Sequence, residues 1–375
     1  MKIAIITNST NYGPRADMTA AFFQNKGHEV IRIESDFVHR EKVKRNEWNE
    51  NTMYIDTIPY SRNLSIQRLY SHYDFAKKTF KLLKGEKLDL IYVFIPANSL
   101  MKFTALYKRF HETTKLVVDI IDLWPESLPF RRFKRMWPIS LWRDIRNKYL
   151  NEADFVITEC NLYGRVLREF LKQVDHATIY WPKRFTLKMP EFVEEKEKLN
   201  VCYLGSMNHI IDIDFLVHLL VKLKEQGNTV LHMIGDGERR DSLIHQLEEA
   251  GISYVYHGTI YEEKKKMEIM SCCEYGLNIM KDSVCVGITM KSVDYMYAGL
   301  PMINNIKGDT WDIIENQKIG FNCDADLLGV VAQKVFSQRE EMKSKRAFIH
   351  QYYTELFSEA AYQRGMEACM KKLLK

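Results

Sequence analysis

The strongest constraint on this chain is a rhythm. Short apolar runs alternate with helical patterns along most of its length. KIAIIT, EVIRI, DLIYVF, KLVVDI and FVIT have the size and composition of buried strands, and NVCYLG, TVLHMIG, SYVYHG, YGLNI, PMINN and IGFN repeat the theme. The periodicity predicts helices at Met18–Lys26, Asp74–Leu83, Ile213–Glu225, Glu238–Ala250 and Glu262–Ser271. Strand–helix alternation builds a parallel sheet covered by helices on both faces. The rhythm breaks at Trp181–Asn200, which has two prolines, a charge run and no hydrophobic period. At 375 residues the chain is too long for one ordinary core. The expected fold class is therefore α/β, with two Rossmann-like doubly wound domains, 1–185 and 199–350, joined by a linker at 186–198.

Ligands of open parallel sheets bind beyond the carboxyl ends of the strands, and two such domains suggest a cleft between them. The loops after strands are therefore the candidates. TNSTNYGPRAD offers Asn11, Tyr12 and Gly13 as an acceptor loop, or as a plain polar turn. Gly205 and Ser206 follow one strand shortly before a helix, where backbone amides favour anions. Gly235 and Gly237 flank Asp236 in a turn that allows close ligand approach, with Arg240 just beyond. His257-Gly258 ends a strand with backbone on which a flat nucleobase can lie. Gly287-Ile288 opens the turn before Lys291 and Asp294, which share a helical face. A lysine near a helix start can neutralise a diphosphate, and an acid one turn on can accept ribose hydroxyls; the bland reading is an exposed ion pair.

The net charge of +5 is concentrated. Ser127–Leu150 holds seven bases against one acid. Arg131, Arg132, Lys134 and Arg135 alternate with Phe133 and Trp137, and Trp142 follows. This pattern suits the headgroup layer of an anionic membrane, or an ordinary helix with a solvated basic face. No run is long enough to span a bilayer, and the opening MKIAIITNST has no cleavage pattern. The seven cysteines have no metal-ligand spacing and read as reduced thiols. No nucleic-acid motif accompanies the bases, and no GxGxxG fingerprint supports a dehydrogenase.

Taken together, YLGS, MIGDGERR, YHGTI and MKSVDYMYAGLPMI resemble the donor-binding domain of GT-B glycosyltransferases, specifically retaining family 4. KLVVDIIDLWPES resembles a stretch of bacterial O-antigen, capsule and exopolysaccharide transferases. The end, 351–375, resembles the helices that cross back onto the first domain. The resemblance implies a nucleotide-sugar donor, no metal or other cofactor, and a polyprenyl-diphosphate-linked glycan acceptor. It implies a cytoplasmic location, peripheral on the inner face of the cell membrane. Asp122 and Glu126 become candidate catalytic residues, beside Trp124 for the acceptor. Glu126 would lie one helical turn on if Pro125 starts a helix; the alternative is that both acids cap that helix.

The chain also departs from the family pattern. Of two glutamates eight positions apart, the first falls on Val286 and the second is Asp294. The usual Arg after YLG is Ser206, and the usual Lys falls among Ile210 and Ile211. These losses keep open a non-catalytic partner subunit, and the same fold also serves sugar-nucleotide epimerases.

Overall fold

The computed structural model describes residues 1–63, 65–128 and 137–374. It divides into two units. The first comprises Met1–Trp181 with Tyr362–Lys375, and the second Pro182–Ala361.

The sheet of the first unit has seven parallel strands. These are β1 (Lys2–Thr7), β2 (Glu29–Ser35), β3 (Thr52–Ile55), β4 (Leu90–Ile95), β5 (Lys115–Ile120), β6 (Phe155–Thr158) and β7 (Asp175–Thr178), in spatial order β3-β2-β1-β4-β5-β6-β7. The near-continuous apolar character of β1, β4, β5 and β6 follows from burial on both faces. Ile3 and Ile5 of β1 join Phe22, Phe23 and Met366 on one side. Ala4 and Ile6 join Phe75, Leu100 and Trp142 on the other. The Glu359–Leu373 helix contributes Tyr362, Met366, Cys369, Met370 and Leu373 to the first of these cores. An ion pair lies beside it. Arg15, fully buried, donates to Asp119 at 2.9 and 3.1 Å and to the carbonyls of Ile179 and Tyr180. Its guanidinium stacks on Tyr362, and Tyr92 also donates to Asp119.

The second unit has six parallel strands: β8 (Leu199–Leu204), β9 (Thr229–Ile234), β10 (Ser253–Tyr256), β11 (Tyr275–Asn278), β12 (Met302–Asn304) and β13 (Gly320–Asn322), in order β10-β9-β8-β11-β12-β13. The order reverses between β8 and β11, and between β1 and β4 in the first unit, which are the switch points at which doubly wound sheets bind ligands. Tyr295 clamps the second switch point. Its hydroxyl accepts from the Leu204 amide and lies within hydrogen-bond distance of the Cys202 and Leu277 carbonyls. A Cβ at Gly276 would come within 2.5 Å of that ring, so only glycine allows the ring to lie against β11.

Residues 182–198 form no helix and no strand, yet they are held. Thr186 and Leu187 amides donate to Glu263, the Val193 amide to Ser271, and Phe185 stacks on Tyr297 with ring centroids 3.7 Å apart. The Arg346–Phe357 helix belongs to this unit, so the return to the first unit's core starts at Tyr362. All seven cysteines are free.

Candidate functional site

In the second unit, the expected donor residues do gather at the carboxyl ends of the strands, but several have other duties. The Gly205 amide donates to the Ile234 carbonyl, Gly235 to Gly258, and Gly237 to the Asp236 side chain. The Gly205 amide, expected to face a diphosphate, and the Gly235 amide instead join the loops after β8, β9 and β10, while the Gly237 amide bonds within its own turn. A Cβ on Gly235 would lie 2.0 Å from the Gly205 carbonyl oxygen, at a φ of +136°. Its glycine requirement is therefore set by loop-on-loop packing. Ser206 is exposed. Arg240 is balanced by Asp236 at 3.2 Å and Asp241 at 2.8 Å. His257 stacks on His232, a residue the sequence reading passed over, with ring nitrogens 3.1 Å apart. Burial lowers the pKa of both rings.

Lys291 and Asp294 lie three positions apart on the helix Met290–Tyr297 and have different neighbours. Asp294 is buried and accepts from Lys183 at 2.6 and 2.8 Å, with Lys266 at 3.7 Å. It anchors the 182–198 segment rather than standing open to a ribose. Lys291 has no carboxylate partner among the described residues. Its ammonium lies 4.6 Å from the Tyr203 ring centroid and 3.3 Å from the Ile279 carbonyl oxygen. Desolvation pulls its pKa from 10.5 down to about 7. The place is the β8–β11 switch point at a helix N-terminus, where the dipole also favours an anion.

That helix start is fixed from the strand ends. Thr289 is the N-cap and accepts from the Ser292 amide; its hydroxyl donates to Asn278. Asn278, Asn304 and Asn322 sit side by side in register across β11, β12 and β13. Their amides bond in a row, Asn278 to Asn304 at 2.8 Å and Asn304 to Asn322 at 2.9 Å. The signal was present as an Asn ending three successive strands. The Gly287 carbonyl accepts from both the amide and the hydroxyl of Thr310, which fixes the Gly287-Ile288 turn.

In the first unit, Asn11 and Tyr12 form a short 3-10 turn, and Gly13 starts the Gly13–Gln24 helix, earlier than the periodicity suggested because Pro14 suits a first helical turn. Residues 124–127 form a turn, and Pro125 starts no helix. The Asp122 carboxylate accepts from Ser127 at 2.5 Å, and burial raises its pKa. Glu126 does not stand ready for catalysis as expected. It binds Arg146 at 2.7 and 3.1 Å, and Arg146, fully buried, also donates to the Trp124 carbonyl.

The helix Trp137–Tyr149 is correspondingly different from expectation. Trp142 is 6% exposed and packs in the core against His72, so it is not part of a docking surface. Arg146 shares its buried face, and Leu141 is outside. Arg131, Arg132, Phe133, Lys134 and Arg135 lie outside the described residues. No described helix is long and apolar enough to cross a membrane. No cluster of three or more His, Cys, Asp or Glu among the described residues is placed to hold a metal ion.

The sequence reading missed a group of residues near Asp122. Arg68 lies in the first turn of the Ile66–Leu83 helix, capped by Ser65, which starts eight residues before the expected Asp74. Its guanidinium stacks 4.0 Å from the Trp124 ring centroid.

No family model matches the sequence. The chain is 23% identical over 189 residues to the O-antigen biosynthesis glycosyltransferase WbnH of Escherichia coli, a match covering 46% of this chain and 50% of that protein. The chain thus spans about half the length of the curated relatives it matches. The lipopolysaccharide outer core galactosyltransferase WaaB, in its apo form, superposes with a TM-score of 0.69 at 14% identity, over 99% of both chains. Anabaena Alr3699/HepE in complex with UDP gives 0.66 at 12% identity, over 99% of this chain and 100% of that one. The fold is that of these structures, the GT-B fold, with a doubly wound sheet in each unit.

Proposed function

We propose that this chain is a retaining glycosyltransferase of the family 4 kind, moving a sugar from a nucleotide diphosphate sugar to a polyprenyl-diphosphate-linked glycan in bacterial surface polysaccharide synthesis. One observation carries this reading. Lys291 is a half-buried cation with no acid beside it among the described residues, at a helix N-terminus and a sheet switch point. Such a group is costly unless an anion completes it.

Glycosyl transfer breaks the bond between the anomeric carbon and the diphosphate, and charge grows on the departing oxygen. Lys291 and the Gly287–Ile288 turn would stabilise that charge. The His257–Gly258 backbone would carry the nucleobase. Asp122 would orient the acceptor hydroxyl, whose proton passes to the leaving diphosphate during front-face attack. This route requires no metal. The names of WbnH and WaaB as sugar transferases, and the UDP bound by HepE, support the reading. The 130–137 segment, with its bases and aromatics, would hold the protein on the inner face of the cell membrane.

The test is titration of the purified chain with UDP, GDP and TDP, followed by transfer assays on Lys291→Ala with a panel of nucleotide sugars. Binding of one nucleotide and loss of transfer in the variant are expected. One observation favours a non-catalytic partner subunit instead: Asp294 is neutralised by Lys183. Failure to bind any nucleoside diphosphate would select that alternative.

A further inference from the structure

Two further cations without a carboxylate partner within 4 Å among the described residues lie in the first unit. Arg68 is 7% exposed, and no carboxylate lies within 4 Å of it among the described residues. Its guanidinium donates to the Asn63 carbonyl at 3.0 Å and to the His72 ring at 3.4 Å, and lies 4.0 Å from the centroid of Trp124 and 5.7 Å from that of Tyr60. Lys42 approaches the same Tyr60 ring at 4.7 Å, donates to the Asn63 side chain and has no acid partner there either. Each cation meets the other's field, and burial with that repulsion lowers the Lys42 pKa. Two like charges meet at one ring with no carboxylate within 4 Å among the described residues, Asp122 acting on Arg68 only from farther off, and a bound dianion would offset their repulsion.

An apolar pocket adjoins them. It has a volume of about 230 Å³, and its walls include Ile66, Leu69, Trp124, Pro125, Leu128 and Trp142. Asn63 and Trp124 belong both to the pocket and to the cation group. From the pocket's edge an apolar stripe continues along the helix surface. Ile66 is 81% exposed and Tyr70, one turn on, 58%.

We infer that Arg68 and Lys42 form a diphosphate site whose ligand is an isoprenoid-type lipid diphosphate, with the first carbons of its chain in this pocket and the rest along Ile66 and Tyr70. The inference rests on the lipid-linked acceptor of the proposed function and locates where the first unit holds it. A planar arginine beside an aromatic ring suits phosphate recognition, and lysine adds a point charge.

The experiment is titration of the full chain with farnesyl diphosphate, read by quenching of tryptophan fluorescence, since Trp124 and Trp142 line the pocket. Saturable binding is expected, at least tenfold tighter than for farnesol or inorganic diphosphate alone. Arg68→Gln and, at a partly exposed position, Lys42→Gln should each weaken it about tenfold or more. Leu69→Trp, which fills the pocket, should weaken the lipid and leave inorganic diphosphate unchanged. The thermal shift given by the nucleotide serves as the folding control for every variant. Equal binding of inorganic diphosphate overturns the lipid assignment, equal binding of farnesol overturns the cation assignment, and unchanged affinity in both Gln variants overturns the site. If a nucleotide binds and farnesyl diphosphate does not, this inference falls while the transferase reading stands. If lipid binds and no nucleotide does, the reverse holds.

Discussion

Nucleotide binding at Lys291 should depend on pH in a way that few surface lysines would allow. Burial places its pKa at about 7 in the unliganded protein. A diphosphate needs the charged form. Half of the protein is competent at pH 7, about a tenth at pH 8 and about a hundredth at pH 9. The Kd for the preferred nucleoside diphosphate should therefore rise about fivefold from pH 7 to pH 8. It should rise about tenfold more by pH 9, until the raised pKa of the complex is reached. A terminal phosphate has its second pKa at about 6, so it is largely ionised by pH 7 and adds little slope in this range. Isothermal titration in buffers of different ionisation enthalpy would count the proton taken up. In Lys291→Met the affinity should be low and flat across the same range. A flat profile in the parent protein, or a variant that binds within twofold of it, would refute the assignment.

The same group makes a stability prediction of opposite sign. The native state favours neutral Lys291, while an unfolded lysine keeps its proton to about pH 10.4. Between about pH 7 and 10.5 the unfolded chain binds more protons, so stability of the unliganded protein rises with pH. The penalty is fully present below pH 7 and, from the pKa drop, is on the order of 4–5 kcal/mol. Lys291→Met should raise the Tm at pH 6 while weakening nucleotide binding, a trade common at binding sites.

Other substitutions separate structure from chemistry. Glu126→Ala leaves the buried Arg146 without its carboxylate and should cost about 3 kcal/mol in urea unfolding. Asp122→Asn should unfold near the parental midpoint yet lose at least tenfold in transfer rate. Gly235→Ala drives a Cβ to 2.0 Å from the Gly205 carbonyl oxygen at positive φ, and should destabilise the second unit by about 3 kcal/mol or more, with nucleotide affinity lost. Asn304→Ala orphans its neighbours in the amide row, for a loss of about 1–3 kcal/mol.

The fold was legible because a parallel strand announces itself. KIAIIT, DLIYVF and NVCYLG are buried on both faces, so apolar residues dominate them and no partner need be known. The short strands were harder. Thr52–Ile55 and Asp175–Thr178 sit at the sheet edges, where half-exposed positions admit Thr, Asp and His. The Ile66–Leu83 helix was read only from Asp74, because Ile66 and Tyr70 are exposed and break the amphipathic pattern. That lost turn contains Arg68.

The roles of the charged residues were the least legible part, and the reason is general. A cation's duty depends on whether an acid arrives beside it, and the acid usually comes from far away in sequence. Arg15 meets Asp119, Arg146 meets Glu126 and Lys183 meets Asp294, across 104, 20 and 111 positions. Each of those pairs is a fastening. Arg146 looked like one base among seven in a membrane-seeking stretch, yet Glu126 turns it into a core residue. Asp294 looked like a ribose ligand until Lys183 took both its oxygens. The same test applied to Lys291, Arg68 and Lys42 gives the opposite answer, since no acid comes within 4 Å of any of them among the described residues. Their positions make the deficit specific: one cation at the switch point of the second unit, and two on a single tyrosine ring in the first. A transferase that joins a nucleotide diphosphate donor to a lipid diphosphate acceptor must satisfy two anions at once. The two uncompensated sites, one in each unit, are the charges such a reaction would use.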